Sequence, residues 1–242
     1  MSLLPTPPPA LGAIPSTTVA LRPVVILPGL GNNTGDYMDM AMTLREGYGI
    51  PSVVARVSRV DWLRHAAALL SPGFWRGSLR PRPLLDWYLE RVAEAVAEAK
   101  LLLEDDGSIS LVGHSAGGWL ARVYMEEFGM SRISLMLTLG SPHLPPPKAV
   151  YTPELKYVRI AGRYIQGAHL FGNSNDPSYD PILVKVISRC AAKQMFGEMV
   201  LFRNCLLIFD GVYHSPVGSD GTIRPWFGSA SVIKKWVHHL LS

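Results

Sequence analysis

Apolar runs of strand length alternate with segments of helical period along most of the chain. The run VVILPGLG at residues 24–31 predicts a buried strand that leads into a glycine-rich turn. Residues 36–48 have the pattern of a helix, and the β-branched segment 52–60 predicts a second strand. The next stretch, residues 61–83, has no clean period and is rich in bulky aromatic residues and proline, which predicts an insertion over one edge of the sheet.

The clearest helix lies at residues 85–103, where Leu85, Leu89, Val92 and Val96 form one apolar stripe. The segments after it again alternate between strand and helix. The predicted strands are ISLVGHS (109–115), ISLMLTLG (133–140), KYVRIAGRYI (156–165) and LLIFDG (206–211), and the predicted helices are residues 119–128 and a last amphipathic one containing Val232, Trp236 and Leu240.

Strands that alternate with helices imply crossover connections and a parallel sheet. The composition, 48% apolar and 17% charged, suits a sheet that is buried on both faces. We therefore predict an α/β fold with a mostly parallel central sheet and helices on both faces. A length of 242 residues favours one domain, at 23–242, after a Pro-rich leader at 1–22 that is expected to be disordered.

The charge pattern argues against a nucleic-acid partner. The net charge of +4 is spread along the chain, and only Arg76, Arg80 and Arg82 form a local cluster. Proteins that bind nucleic acid concentrate Lys and Arg into a patch or stripe. Neither a cofactor nor a metal is expected, and the sequence leaves the oligomeric state open.

Features of the chain favour an intracellular location, in the cytoplasm or the chloroplast. The two cysteines, Cys190 and Cys205, form no disulfide framework. No apolar run approaches the roughly 20 residues that a transmembrane helix needs. The N-terminal segment lacks a basic n-region and is broken by proline, which is unlike a signal peptide, and it has no acidic residue before Asp36, which is weakly compatible with a transit segment.

The most informative motif is Gly113-His114-Ser115-Ala116-Gly117, which matches G-x-S-x-G. A predicted strand precedes it and a predicted helix follows, as in the nucleophile elbow of the α/β-hydrolase fold. Small residues let the turn close, and the serine then stands at a helix N-terminus, where negative charge is favoured. Ser115 is therefore the candidate nucleophile. The alternative is a plain strand-to-helix turn with an incidental serine.

The PGLGNN segment at residues 28–33 is the candidate oxyanion loop. A tetrahedral oxyanion needs two backbone N–H donors, which in this fold come from the residue after the nucleophile and from an early loop. We assign them to Ala116 and Leu30. A phosphate cradle is a weaker interpretation because the segment contains neither G-x-G-x-x-G nor G-K-[ST].

His214 is the candidate general base among seven histidines, because it follows the last predicted strand and precedes the last helix. His143 is a pocket candidate, and His238 and His239 are expected to face solvent. His65 and His169 have no supporting context, and His114 is fixed in the elbow.

Several strings resemble a plant and algal family of lipase-like α/β-hydrolases, distantly similar to GPI inositol deacylases. They are PGLGNNTGDY, DWLRHAAALL, LRPRPLLDWYLERV, LVGHSAGGWLARVYMEEFG, LTLGSPHLPPPK, YTPELKYVRIAGRYIQGA and FDGVYHSPVGSD. The resemblance implies a Ser/Asp/His triad whose acid lies in a GDGVVP motif. That motif is missing here, and Asp176, Asp180 and Asp210 are weak substitutes.

The genetic code offers an explanation for the missing motif. Residues 183–202 are LVKVISRCAAKQMFGEMVLF. Read from the third base of each codon, with permitted codon choices, they become GQGYKQVCGKADVWGDGVVP. Only one base per codon is free, so we hypothesise that residues 183–204 are an out-of-frame segment.

The sequence thus predicts a serine ester hydrolase, a carboxylesterase or a lipase-like enzyme, that acts on a small-molecule or lipid ester. The alternative is a catalytically impaired hydrolase-fold protein or a truncated isoform without the triad acid. An acyltransferase or thioesterase with the same elbow stays open, because the pocket decides the acceptor.

Overall fold

The computed structural model of the protein describes residues 21–70, 72, 82–103, 107–141, 156–163, 204–217 and 221–241. Several predictions lie outside these ranges: most of the leader, much of the insertion and nearly all of the segment at 183–204. The same holds for the candidate residues His143, His169, Asp176 and Asp180.

In the described ranges, six parallel strands form one sheet in the order β2-β1-β3-β4-β5-β6. The strands are β1 (Val24–Leu27), β2 (Ser52–Val54), β3 (Ile109–His114), β4 (Ile133–Leu139), β5 (Lys156–Arg163) and β6 (Asn204–Asp210). Because the strands are parallel, their carboxyl ends share one edge of the sheet, and β3 lies near the middle of it. The predicted parallel sheet is confirmed.

Helices cover both faces of the sheet. They are α1 (Met38–Met42), α2 (Asp86–Lys100), α3 (Ala116–Phe128) and α4 (Ala230–Trp236). Helices α2 and α3 pack on one face, where their side chains join Val25, Leu27 and Leu111 in one apolar cluster. Helices α1 and α4 pack on the other, around Val24 and Ile26. This three-layer arrangement is the α/β-hydrolase fold.

The second strand is shorter than its sequence predicts. Strand β2 ends at Val54, and residues Arg59–Leu70 form a 3₁₀ helix instead of the end of a strand. The Asp61 carboxylate accepts hydrogen bonds from the Ser58 amide at 2.9 Å and the Ser58 hydroxyl at 2.8 Å, which starts this helix. Trp62 then enters the core with only 1% of its surface exposed. The insertion is thus partly helical.

The predicted helix at 36–48 is a continuous helical segment made of 3₁₀, α and π turns in succession. A 3₁₀ turn, Thr34–Tyr37, precedes α1, and a π-helical turn, Thr43–Gly47, follows it. Asn33 begins the stretch with a capping box, in which its side chain accepts from the Asp36 amide while Asp36 accepts from the Asn33 amide. This cap fixes the end of the segment 28–33.

The last helix agrees with its predicted apolar stripe, because Val232, Trp236 and Leu240 are all buried. A 3₁₀ turn, Val237–His239, extends it. His238 is exposed as expected, whereas His239 is half-buried, so the prediction for His239 is wrong. Within the described ranges, no helix is both long and apolar enough to cross a membrane.

Candidate active site

Ser115 stands on a strained turn between β3 and α3. Its φ of 53° and ψ of −127° lie in a region that residues other than glycine rarely occupy. The Ser115 amide donates to the Leu139 carbonyl on β4 at 2.9 Å, and its carbonyl accepts from the Gly118 amide at 3.1 Å. Neighbouring structure therefore holds the strained residue in place, as expected of a functional turn.

Glycines on both sides of Ser115 let the turn close. A Cβ at Gly117 would overlap the Leu27 carbonyl oxygen at the end of β1, and a Cβ at Gly113 would overlap the backbone of Gly118. The two glycines of the motif thus allow the backbones of β1, β3 and α3 to pack closely. This is the strand, sharp turn and helix that the motif predicts.

His214 reaches the serine from the loop after β6. Its Nε2 atom lies 2.9 Å from Ser115 Oγ, so the hydroxyl is placed to donate to the ring. The loop is fixed because the Tyr213 amide donates to the Pro225 carbonyl at 2.8 Å. Two candidates that are 99 residues apart in sequence are thus brought into hydrogen-bond contact.

Gly140, which sequence reasoning did not single out, gives the His214 ring its space. Its φ is 60°, and a Cβ there would lie 2.9 Å from His214 Nδ1 and 2.8 Å from the Phe227 ring. Any side chain at position 140 would therefore press on the imidazole. The available signal was a glycine at the carboxyl end of the strand that neighbours the elbow strand.

The glycine-rich loop (residues 28–33) passes directly against the nucleophile. A Cβ at Gly29 would lie 2.9 Å from Ser115 Cβ, so only a bare backbone fits there. The amides of Leu30 and Ala116 donate to no residue in the described part of the chain. Ala116 is the first residue of α3, whose leading amides have no partner within the helix. Among the described residues, nothing competes with a ligand oxygen for these two amides.

Three buried aromatic side chains anchor this loop from three different elements. Tyr37 Oη accepts from the Gly29 amide and the Asn32 side-chain amide, each at 2.8 Å. Tyr88 Oη donates to the Pro28 carbonyl at 2.7 Å, and Trp62 Nε1 donates to the Asn32 carbonyl at 2.8 Å. Sequence reasoning missed these roles, because the same residues fit equally well as core aromatics.

Burial keeps both tyrosines and His114 neutral. It raises the pKa of the Tyr37 and Tyr88 hydroxyls, since a phenolate would lose its hydration. Burial also lowers the pKa of His114 well below its usual value, and the neighbouring His214 adds to this effect. These three buried side chains are therefore uncharged near neutral pH.

The other candidates are not brought to this site by the described residues. His238 and His239 lie after α4, the side chain of His65 is not described, and Asp210 is known only as the last residue of β6. Among the residues whose side chains are described, no group of three or more His, Cys, Asp or Glu is arranged to hold a metal.

Residues 84–173 match the PGAP1-like alpha/beta domain family. The matched segment contains α2, the elbow, α3, β4 and β5. No curated protein matches the chain significantly.

Several solved structures are similar to this chain at low sequence identity. The phospholipase/carboxylesterase of Dyadobacter fermentans is 16% identical, with a TM-score of 0.49, over 93% of this chain and 91% of that one. The esterase of Pyrobaculum calidifontis is 15% identical over 91% and 74%, with a TM-score of 0.45. The Bacillus cereus carboxylesterase is 13% identical over 91% and 89%, with a TM-score of 0.43.

Proposed function

We propose that this protein is a serine ester hydrolase, a carboxylesterase or lipase-like enzyme, with Ser115 as nucleophile and His214 as general base. The observation that carries the proposal is the 2.9 Å distance between Ser115 Oγ and His214 Nε2, with the serine on a strained turn. A nucleophile and a base within hydrogen-bond reach are the signature of an activated hydroxyl. The amides of Leu30 and Ala116, which have no partner among the described residues, support it further.

The proposed reaction runs through an acyl enzyme. His214 takes the Ser115 proton as Oγ attacks the ester carbonyl, and the amides of Leu30 and Ala116 stabilise the oxyanion that forms. The protonated imidazole then gives its proton to the leaving alcohol. Water, activated by the same ring, releases the acid and restores the serine.

We propose a small-molecule or lipid ester as substrate. The 3₁₀ helix at Arg59–Leu70 leaves Leu63 and Leu70 exposed, while Trp62 contacts the glycine-rich loop through its indole N–H. We propose that apolar side chains of this insertion shape an acyl pocket beside the loop. The choice among ester, thioester and acyl acceptor belongs to that pocket.

One sequence observation favours a second candidate, a catalytically impaired hydrolase-fold protein. Residues 183–202 stand where the resembling family carries its GDGVVP acid. Loss of the triad acid lowers kcat by roughly 10⁴-fold in a serine protease, where the acid orients the histidine and stabilises the imidazolium.

Hydrolysis of short-chain p-nitrophenyl esters separates the two candidates. Wild-type protein should exceed the Ser115→Ala variant by about 100-fold or more in kcat/KM, because the nucleophile and its base act together. The matched control is Ser131→Ala, at an exposed serine in the turn after α3, which should keep the wild-type rate. Equal rates for wild type and Ser115→Ala would leave only the impaired candidate.

A further inference from the structure

Two fully buried polar side chains have no part in the proposed reaction. Tyr37 is 0% exposed and His114 is 1% exposed, and their polar atoms meet: Tyr37 Oη lies 2.7 Å from His114 Nδ1. The other nitrogen of His114, Nε2, lies 3.0 Å from the backbone carbonyl oxygen of His214. A continuous path of hydrogen bonds therefore joins the backbone of His214 to Tyr37.

The His214 end of this path fixes the tautomer of His114. A carbonyl oxygen only accepts, so His114 Nε2 must carry a proton and donate it. Because the buried ring is neutral, Nδ1 is then bare and must accept. The Tyr37 hydroxyl is consequently the donor to His114 Nδ1.

The loop end of the path agrees with this direction. The Gly29 amide only donates, and it lies 2.8 Å from Tyr37 Oη. Asn32 Nδ2 lies at the same distance. Tyr37 thus gives its one proton to His114 and accepts at both lone pairs, so each hydrogen bond has a matched donor and acceptor.

We infer that Tyr37 and His114 are positioning residues that hold the glycine-rich loop and the His214 backbone as one unit, and thereby align the oxyanion donors with the general base. This inference rests on the proposed function of Ser115. It adds two residues that contact neither the ester nor the reacting atoms.

The surrounding packing favours a stiff connection. The Trp226 ring lies 5.7 Å from Tyr37 and 5.4 Å from His114 between ring centroids, and the His114 and His214 rings lie 4.8 Å apart. Close-packed rings leave the path no room to relax when one bond is lost. A displacement of the loop would therefore reach His214, and misplacement by about 1 Å can lower a rate by about 100-fold.

The mechanism also suits a neutral His114. When His214 takes the serine proton it becomes an imidazolium beside the His114 ring, and its charge opposes protonation of His114. His114 Nδ1 therefore stays bare through the catalytic cycle and keeps accepting from the Tyr37 hydroxyl. A positioning residue has to keep its hydrogen bond in this way.

Substitutions at His114 separate the two ends of the path. Glutamine places an N–H near the position of Nε2 and keeps the donor to His214, whereas asparagine places an oxygen near Nδ1 and keeps only the acceptor for Tyr37. For p-nitrophenyl acetate, we expect His114→Gln, His114→Asn and Tyr37→Phe each to lose about 10- to 100-fold in kcat with KM nearly unchanged, because each breaks the path. Tyr124→Phe, a matched substitution at a buried tyrosine of α3, should keep the wild-type kcat.

Melting temperatures of all variants separate positioning from simple destabilisation. If kcat follows the melting temperature across the set, or if either His114 variant keeps the wild-type kcat, the inference is overturned. If the rate depends on Ser115 but is unchanged in Tyr37→Phe, the inference fails and the proposed function stands. If wild type and Ser115→Ala have equal rates, the proposed function itself fails.

A spectroscopic measurement tests the path without an ester. Nitrogen-15 NMR of the histidine side chains in the full chain should show His114 with the proton on Nε2 and a bare Nδ1, and Tyr37→Phe should shift the Nδ1 signal. A proton on Nδ1, or a charged ring near neutral pH, contradicts the direction of the path.

Discussion

The imidazole of His114 is buried, so a positive charge on it would have almost no contact with water. Burial lowers the pKa of His114 well below 6.5, the value that an exposed histidine has. The titratable groups that face it are Tyr37, which stays neutral, and His214. Folding therefore opposes protonation at this one position.

This shift makes the folded state less stable in acid. Below pH 6.5 the unfolded chain binds a proton at His114 that the native chain does not, so the free energy of unfolding falls as the pH falls. Relative to His114→Gln, wild-type protein should lose stability between pH 7 and pH 5, by at most about 2 kcal/mol. Urea titrations of both proteins at these two pH values measure the difference, and parallel pH profiles would contradict it.

Some site residues follow from sequence and others do not, for a physical reason. Ser115 and His214 are predictable because the elbow needs small residues around a serine and the fold has a fixed chain order. Tyr37 and Tyr88 bind the glycine-rich loop, yet each also satisfies the apolar pattern of a helix. The hydrogen-bond partner of a buried tyrosine hydroxyl becomes visible only when the folded structure shows which segments lie next to it.

At the scale of elements, the contact between β1 and α3 requires a residue without a side chain at position 117. Gly117 lies in the first turn of α3 and packs on the carbonyl oxygens of Leu27 and Pro28. A methyl group there would push backbone against backbone, and neither element can yield because both belong to the core.

We therefore expect Gly117→Ala to lower the free energy of unfolding by about 3 kcal/mol or more. Gly47→Ala is the matched control, since a Cβ at Gly47 meets nothing within 4 Å and Gly47 ends a helical turn. That control should change stability by less than about 1 kcal/mol. Chemical denaturation of the two variants checks the contrast, and equal stabilities would show that α3 can shift.

The elements themselves are largely predictable from the apolar pattern, with one informative exception. Buried parallel strands such as β3 and β4 give continuous apolar runs, and α2 gives a helical stripe. The segment 52–60 contains four β-branched valines, but the strand stops at Val54. The cap formed by Ser58 and Asp61 competes with the strand. The β propensity of single residues does not predict such a local hydrogen bond.

At the scale of the whole molecule, the missing acid of the proposed triad raises the question of whether residues 183–204 are translated in the correct reading frame. The hypothesis of an out-of-frame segment at residues 183–204 concerns nucleotides, so transcript sequence across this interval checks it directly. We expect the bases to spell GDGVVP in the shifted frame, and their failure to do so would reject the hypothesis.

The same hypothesis predicts a gain of function. Replacement of residues 183–202 by GQGYKQVCGKADVWGDGVVP should raise kcat on p-nitrophenyl esters by up to about 10⁴-fold, because an acid would then orient His214. The matched control carries asparagine in place of the aspartate of GDGVVP. Equal rates for the two replacements would exclude that aspartate as the acid.

The path from Gly29 to His214 begins and ends on the main chain. Peptide groups have no rotamers and no tautomers, so an N–H at one terminus and a C=O at the other leave Tyr37 and His114 between them, and Asn32 beside Tyr37, a single proton arrangement. Asn32 cannot flip, Tyr37 cannot rotate its proton and His114 cannot switch nitrogens without stranding a buried atom. The site consequently has one ground state, already set before any substrate arrives.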